Sequence, residues 1–314
     1  MRHCEEARRA DEAIPSRLPR PEGARNDIIM NRSQLKILGI IGDPVAHSLS
    51  PVMQNAALAR LHLPFLYMPF QVKHEFLENF FKILKSRKIV GLNVTVPHKQ
   101  VVIPFLDSLT QEARLIGAVN TIKVVGKKLK GHNTDGLGYV ASLLGEARFS
   151  PRGRQIILIG AGGAARAIAA SLGQARAREV LIINRTAKKA FDLAHEMGKK
   201  FPQTAFSVTS FDNLEPYFWS TTDLLINASS MGMKGKRSAH LPLSKLPRQA
   251  IVSDIVYAPQ ETPLLKAAKK LKLKTHPGWG MLLYQGALSF EFWTGRKAPI
   301  AVMRAALLDS LKDI

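Results

Sequence analysis

The chain has 314 residues, 46% of them hydrophobic, and a formal charge of +21. That length is about twice the usual domain size, so two domains are expected, and no apolar run approaches the roughly 18 residues of a membrane span. The one cysteine, Cys4, rules out a disulfide framework and a cysteine metal site, and it points to a reducing compartment, most simply the cytoplasm.

Residues 1–32 hold seven Arg against six Asp and Glu and carry Pro15, Pro19, Pro21 and Gly23 without apolar periodicity. Residues 1–33 are therefore expected as a disordered tail. The acidic residues and the missing apolar region argue against a targeting peptide. Met30, just ahead of the first strand, is an alternative start. About +20 of the charge lies beyond the tail, much of it in runs such as "KILKSRK" (82–88), "GKKLK" (126–130) and "KAAKKLKLK" (266–274). Apolar residues interleave these cations, as on the solvent face of a helix or hairpin. No zinc finger, aromatic RNA-binding pattern or Arg-rich tract supports nucleic-acid binding, and no metal site is expected.

"KILGIIG" (36–42) is an apolar run stopped by Gly-Asp-Pro, a buried strand entering a loop. "SPVMQNAALARLHL" (50–63) follows as a helix, with Ser50 as N-cap and Pro51 at its first position. "FLYMPFQV" (65–72) reads as a strand, "HEFLENFFKILKSR" (74–87) as an amphipathic helix, and "VGLNVTV" (90–96) as a third strand. Residues 34–134 thus form an α/β sandwich. In 135–277, "RQIILIGAGGAARAIAASLGQA" (154–175) is strand, glycine loop and helix. The strands "EVLIINRT" (179–186), "TDLLINAS" (222–229) and "AIVSDIVY" (250–257) continue a Rossmann-type doubly wound parallel sheet. Two further helices are expected over 278–314.

"GAGGAARA" (160–167) fits the dinucleotide pattern. Gly160 permits the tight turn, Gly162 the approach of a pyrophosphate, and Ala165 the packing of helix on strand. An NAD site puts a carboxylate at the end of the next strand. Here Asn184, Arg185, Thr186, Lys188 and Lys189 stand there, and three cations suit a 2′-phosphate. NADP(H) is the expected cofactor.

The first unit carries polar residues that its turns do not require. They are Ser48 and Ser50 in "GDPVAHSLSP", Thr95 and Lys99 in "NVTVPHK", Asn120 in "GAVNT", and Asn133 and Asp135 in "HNTDG". Singly, Ser50 is a helix cap, Asn120 a turn residue, and Asp135 an N-cap to a helix starting at Gly136. His98 reads as a turn residue. Together these groups suit a small, hydroxylated, anionic ligand.

With "NRT", "NASSMGM" (227–233), "DIVYAPQETPLL" (254–265) and "GWGMLLYQG" (278–286) added, the ordered motifs from residue 36 onward resemble the shikimate dehydrogenase family. The resemblance implies reversible NADPH-dependent reduction of 3-dehydroshikimate to shikimate, in aromatic amino-acid biosynthesis. It implies that Ser48 and Ser50 hold the substrate carboxylate with Tyr257, and that Thr95, Asn120 and Gln285 bind the ring hydroxyls. Lys99 and Asp135 would be the catalytic pair. Gly160, Ala161, Gly162, Gly163 and Ala164 would cradle the pyrophosphate. Asn184, Arg185, Thr186, Lys188 and Lys189 would hold the adenosine phosphate, and Ile255, Gly278 and Met281 would line the nicotinamide. The last helices would return to the first domain, and the protein would be a monomer or homodimer. Two departures stand out: Gln54-Asn55 replaces the usual His-Asn, and Lys189 stands where Arg is frequent. A quinate/shikimate dehydrogenase is the nearest rival reading, and a non-catalytic NADPH-sensing or nucleic-acid-binding protein a distant one.

Overall fold

The computed structural model describes residues 35–84, 88–210, 213, 215–233 and 241–312. The expected tail and Met30 lie outside them, as do residues 85–87 at the end of the second expected helix. The first unit runs β1 (Lys36–Gly42), α1 (Ser50–Arg60), β2 (Phe65–Gln71), α2 (Leu77–Leu84), β3 (Ile89–Val94), β4 (Ser108–Leu109), α3 (Gln111–Ile116), β5 (Thr121–Val125) and β6 (Lys128–His132). Its sheet has the order β2-β1-β3-β5-β6-β4. β1 lies parallel to β2 and β3, whereas β5 and β6 extend the sheet as an antiparallel hairpin, with Asn93 opposite Thr121. The sequence reading finds the parallel half and misses the hairpin and β4. β4 has two residues, β5 and β6 are short and lysine-bearing, and β6 buries only Leu129 and Gly131, so no apolar run marks them.

The next helix, α4 (Asp135–Glu146), leads into β7 (Gln155–Ile159), α5 (Gly163–Gln174), β8 (Glu179–Ile183), α6 (Ala187–Lys200), β9 (Ala205–Thr209), α7 (Pro216–Thr221), β10 (Leu224–Asn227), β11 (Ile251–Asp254), α8 (Pro263–Lys270) and β12 (Lys274–His276). All six strands are parallel, in the order β12-β11-β10-β7-β8-β9. The strand order reverses between β7 and β10, beside the glycine loop, where doubly wound sheets bind ligands. Every residue of β7, β10 and β11 is buried, as expected of strands covered by helices on both faces.

The last helices, α9 (Trp279–Thr294) and α10 (Ile300–Ser310), pack on the first unit. Leu283, Ala287, Phe290, Met303 and Leu307 share one core with Leu38, Met53 and Leu58. Between the units, α4 touches both α5 and α9. Its glycines make this possible: a Cβ on Gly136 would lie 2.3 Å from the Ala167 carbonyl oxygen of α5, and one on Gly138 2.5 Å from the Gln285 nitrogen of α9. Two expected helix starts shift. Leu49 precedes α1, so Ser50 is its first residue, and Thr134 precedes α4, so Asp135 lies in its first turn. Neither side chain caps its helix. Ser50 faces Tyr67, and the Asp135 carboxylate points away from its own amides.

Candidate active site

The site lies where the C-terminal ends of β3 and β7 meet α4. Beyond β3, the Val102 N–H bonds the His98 carbonyl, and Val119 N–H donates to the Lys99 carbonyl at 2.7 Å, which holds the turn's backbone. His98 is more than a turn residue. It is fully buried, and its ring Nε2 lies 2.6 Å from the Val72 carbonyl, a contact that an N–H must make. The backbone of the turn is thereby tied to the end of β2, and Lys99 leaves a fixed base.

From that base Lys99 Nζ donates to Asp135 Oδ2 at 2.6 Å. The other carboxylate oxygen accepts from Asn120 Nδ2 at 2.8 Å. The orientation of the Asn120 amide is set by its far side. Its Oδ1 accepts the Thr134 N–H at 2.8 Å and the Thr121 hydroxyl at 2.8 Å, so the NH2 group must face Asp135. Asn133, wholly buried, accepts from the Asp135 N–H at 3.0 Å and donates to the Ala118 carbonyl at 2.9 Å. Asp135 thus receives donors on both oxygens, while Lys99 spends one of its three N–H groups and keeps two for a ligand.

Gln285 of α9 comes to the same spot, its Oε1 3.3 Å from Asn120 Nδ2. Thr95 lies half-buried on the approach. Ser48 and Ser50 are joined by a 3.3 Å bond from the Ser50 N–H to Ser48 Oγ, and the Tyr257 hydroxyl faces the Leu49 backbone between them. Burial pushes the Tyr257 hydroxyl above its ordinary pKa, so it stays a neutral O–H. Gln54 is wholly buried and donates to the Gly286 carbonyl at 2.9 Å, linking α1 to α9 beside Gln285.

Behind these groups runs a buried polar network that the sequence reading did not single out. Tyr67 donates to Asn93 Oδ1 at 2.7 Å, and Asn93 Nδ2 donates to Ser289 Oγ at 3.0 Å. Ser289 lies 2.7 Å from Thr121 and 3.1 Å from Thr134, the two residues that orient Asn120. One signal was available. Gln285 and Ser289 stand four apart in a largely apolar helix and so share a face.

On the second unit the glycine loop has the shape a dinucleotide requires. Gly160 has φ +119°, and a Cβ there would lie 2.8 Å from the Ala228 carbonyl oxygen. Gly162 faces open space, and no side chain caps α5, so its first N–H groups stay available to an anion. Ala161 and Ala164 complete the loop and first turn. A Cβ on Gly163 would lie 3.4 Å from Lys99 Cβ, so the lysine stem from the first unit rests on the start of this helix. After β8, Asn184 donates to the Thr186 carbonyl. Lys188 pairs with Asp192 at 2.9 Å, while Arg185 and Lys189 are exposed and have no partner among the described residues. These residues fit a phosphate-bearing dinucleotide, with Arg185 and Lys189 as the unengaged cations. Across the sheet, Gly278 packs on the Ile255 carbonyl, where a Cβ would lie 2.3 Å away, and Met281 is buried in the same core that Ile255 borders.

Comparison with known proteins follows the same division. Residues 40–122 match the model of the shikimate dehydrogenase substrate binding domain, 144–258 that of shikimate/quinate 5-dehydrogenase, and 278–308 that of the shikimate 5′-dehydrogenase C-terminal domain. A shikimate dehydrogenase (NADP+) of Geobacter metallireducens is 44% identical over 281 residues, 88% of this chain and 97% of that one. A solved shikimate dehydrogenase in complex with NADP+ superposes with a TM-score of 0.83 at 39% identity, over 93% of this chain and 99% of the other. The quinate dehydrogenase of Corynebacterium glutamicum, solved with NAD, gives a TM-score of 0.81 at 27% identity, covering 88% and 99%. The chain belongs to the shikimate dehydrogenase family.

Proposed function

We propose that the protein reversibly reduces 3-dehydroshikimate to shikimate at the cleft between the two units. The observation that carries this reading is the Lys99–Asp135 pair at 2.6 Å, with the lysine stem resting on the first turn of the glycine-loop helix. NADPH held at that loop supplies the hydride. The ketone oxygen becoming an alkoxide needs a nearby donor, and Lys99 has two N–H groups to offer. Lys99 donates the proton in reduction and takes it back in oxidation, while Asp135, fixed by Asn120 and the Asn133 turn, holds the amine in place. Ser48, Ser50 and Tyr257 bind the carboxylate end, and Thr95, Asn120 and Gln285 bind the hydroxyls. Residues 34–134 with 278–314 serve as the substrate unit and 135–277 as the cofactor unit.

Arg185 and Lys189, with no carboxylate at the end of β8, favour NADP over NAD and the shikimate reading over the quinate one. Among the described residues no helix is long and apolar enough to cross a membrane. The single cysteine is what supports a cytoplasmic enzyme, acting as a monomer or homodimer. The test is NADPH formation by the purified chain with shikimate or quinate and with either nucleotide. Shikimate with NADP+ is expected to give the highest kcat/KM; faster turnover with quinate and NAD+ would replace this reading with its rival.

A further inference from the structure

A second cluster of hydrogen-bonding side chains lies outside the cleft, one to two turns further along α4. His276, the last residue of β12, is 1% exposed and sits between two wholly buried hydroxyls. Its Nδ1 is 2.9 Å from Ser253 Oγ of β11, and its Nε2 is 2.7 Å from Ser142 Oγ of α4. The Tyr139 hydroxyl donates to Ser253 Oγ at 2.9 Å, and its ring meets the imidazole edge-on at 5.7 Å. With Tyr139 donating to Ser253, a neutral ring satisfies both serines: one nitrogen donates its hydrogen to one hydroxyl, and the other accepts from the second. Both nitrogens are used with a single ring hydrogen.

The three elements so joined are the ones that carry the two reacting partners. α4 begins at Asp135, two turns before Ser142. Ser253 stands two residues before Ile255, and His276 two before Gly278. The contact is tightly built: a Cβ on Gly280 would lie 2.1 Å from Ser142 Oγ. Elsewhere α4 is held to the first unit and the last helices, through Asn120 at its start and through Glu146, which takes a two-pronged bond from Arg304 and one from the Tyr284 hydroxyl. On the cofactor side the imidazole is accompanied by the close Gly136–Ala167 contact with α5 and by Tyr139 and Leu143, which are buried in the core of the cofactor sheet; the imidazole adds a directional bridge to that packing.

We propose that His276 is a positioning residue: as a neutral imidazole bridging Ser142 and Ser253, it sets where Asp135, and with it Lys99, stands relative to the strand ends that carry Ile255 and Gly278. Burial drives its pKa down to about 4, against the opposing pull of the Glu146 carboxylate, so the ring stays neutral across the working range. The inference rests on the proposed roles of Lys99 and Asp135.

The test uses the full chain in two arms. In ligand-free protein labelled with 15N-histidine, the His276 ring should show one protonated and one bare nitrogen in a single tautomer, unchanged between pH 8 and 5.5; a charged ring or exchanging tautomers overturns the proposal. Ser142→Ala removes one bond to the ring, Ser253→Ala removes the other together with the acceptor of the Tyr139 hydroxyl, both leave the imidazole in place, and His276→Gln removes the bridge. Amide exchange in ligand-free protein should accelerate together in 135–142 and 274–280. In turnover, kcat should fall about tenfold, as a small misplacement of reacting groups predicts. KM for shikimate should stay within about twofold, because its proposed ligands lie elsewhere. The primary isotope effect with 4-deuterated NADPH should rise. Faster exchange with an unchanged isotope effect would assign His276 a structural role only and overturn the inference. Absence of shikimate oxidation by the unaltered chain would instead sink the proposed function and leave the tautomer and exchange results standing.

Discussion

The two sheets of this molecule build their candidate ligand sites by opposite means. Around the glycine loop, β7, β8 and β10 are apolar along their length and carry their polar residues at their ends; what the loop after β7 offers is backbone, a glycine at φ +119° and uncapped N–H groups. In the other sheet the polar groups stand inside the core. Asn93 and Thr121 face each other across β3 and β5, and Tyr67, Thr134 and Ser289 complete a network that ends on Asp135. A pyrophosphate can be bound by any backbone of the right shape. A hydroxylated ring needs donors and acceptors in a set order, and that order must be fixed by further buried partners.

The sharpest way to break this contrast is to remove the lysine that reaches from one side to the other at the cleft. Lys99→Ala should lower turnover by about 10² to 10⁴, the usual worth of a positioned proton donor, with substrate affinity nearly unchanged. Single-turnover rates together with equilibrium titration of shikimate check both parts. Near-normal turnover would take Lys99 out of the proton step and leave the network without a catalytic end.

Next in size is a pH effect whose larger part lies on the cofactor side; burial also lowers the pKa of His132 in the other sheet, but His276 is shifted further. His276 is held near 4 in the folded protein against an ordinary 6.5, so below about pH 6.5 the unfolded chain takes up the proton first. Stability therefore falls as pH drops from about 6.5 towards 4, by up to about 3 kcal/mol in all. Glu146 is held below its ordinary 4.5 by Arg304, so its own loss sets in at lower pH. Denaturant midpoints between pH 7 and 5 should slope downward in the unaltered chain and lose most of that slope in His276→Gln. An equal slope in both would place the titration elsewhere.

Side chains should matter on the cofactor side in only one further place. Arg185→Ala with Lys189→Ala should weaken NADP+ binding by about 10- to 100-fold, through lost charge-assisted contacts, and leave NAD+ binding unchanged. Fluorescence titration of the two reduced nucleotides reads it. Equal losses for both would mean that the cations attract the nucleotide at large and do not read its phosphate.

What could be read in the sequence divides along the same line. β1 is legible at both bounds because an apolar run ends in Gly-Asp-Pro, and the glycine loop because its pattern is local. β5 and β6 are not legible, since a short half-exposed hairpin with lysines has no periodicity above its surroundings. Lys99 and Asp135 each stand in a recognisable motif, yet their 2.6 Å approach spans 36 residues and exists only in the fold. His276 follows a lysine-rich segment with nothing local to mark it. Its partners come from 23 and 134 residues away.

The smallest effect probes how the buried network distributes its load. Ser289 Oγ has neighbours at 2.7 Å (Thr121), 3.0 Å (Asn93 Nδ2), 3.1 Å (Thr134) and 3.0 Å (the Gln285 carbonyl). Ser289→Ala removes all four contacts, yet each neighbour keeps another partner. Asn93 Nδ2 still reaches the Asn120 carbonyl at 3.0 Å and Thr121 at 3.2 Å, Thr121 still donates to Asn120 Oδ1, and Thr134 still donates to the Gln285 carbonyl. No buried donor is stranded, so the loss should be that of an ordinary hydrogen bond, about 1 kcal/mol, and not the larger cost of an unsatisfied group. Urea midpoints at constant slope measure it. A loss of about 3 kcal/mol or more would mean that the hydroxyl orders its neighbours cooperatively, and that the hydrogen-bond order around Asn120 depends on a residue with no contact to Lys99 or Asp135.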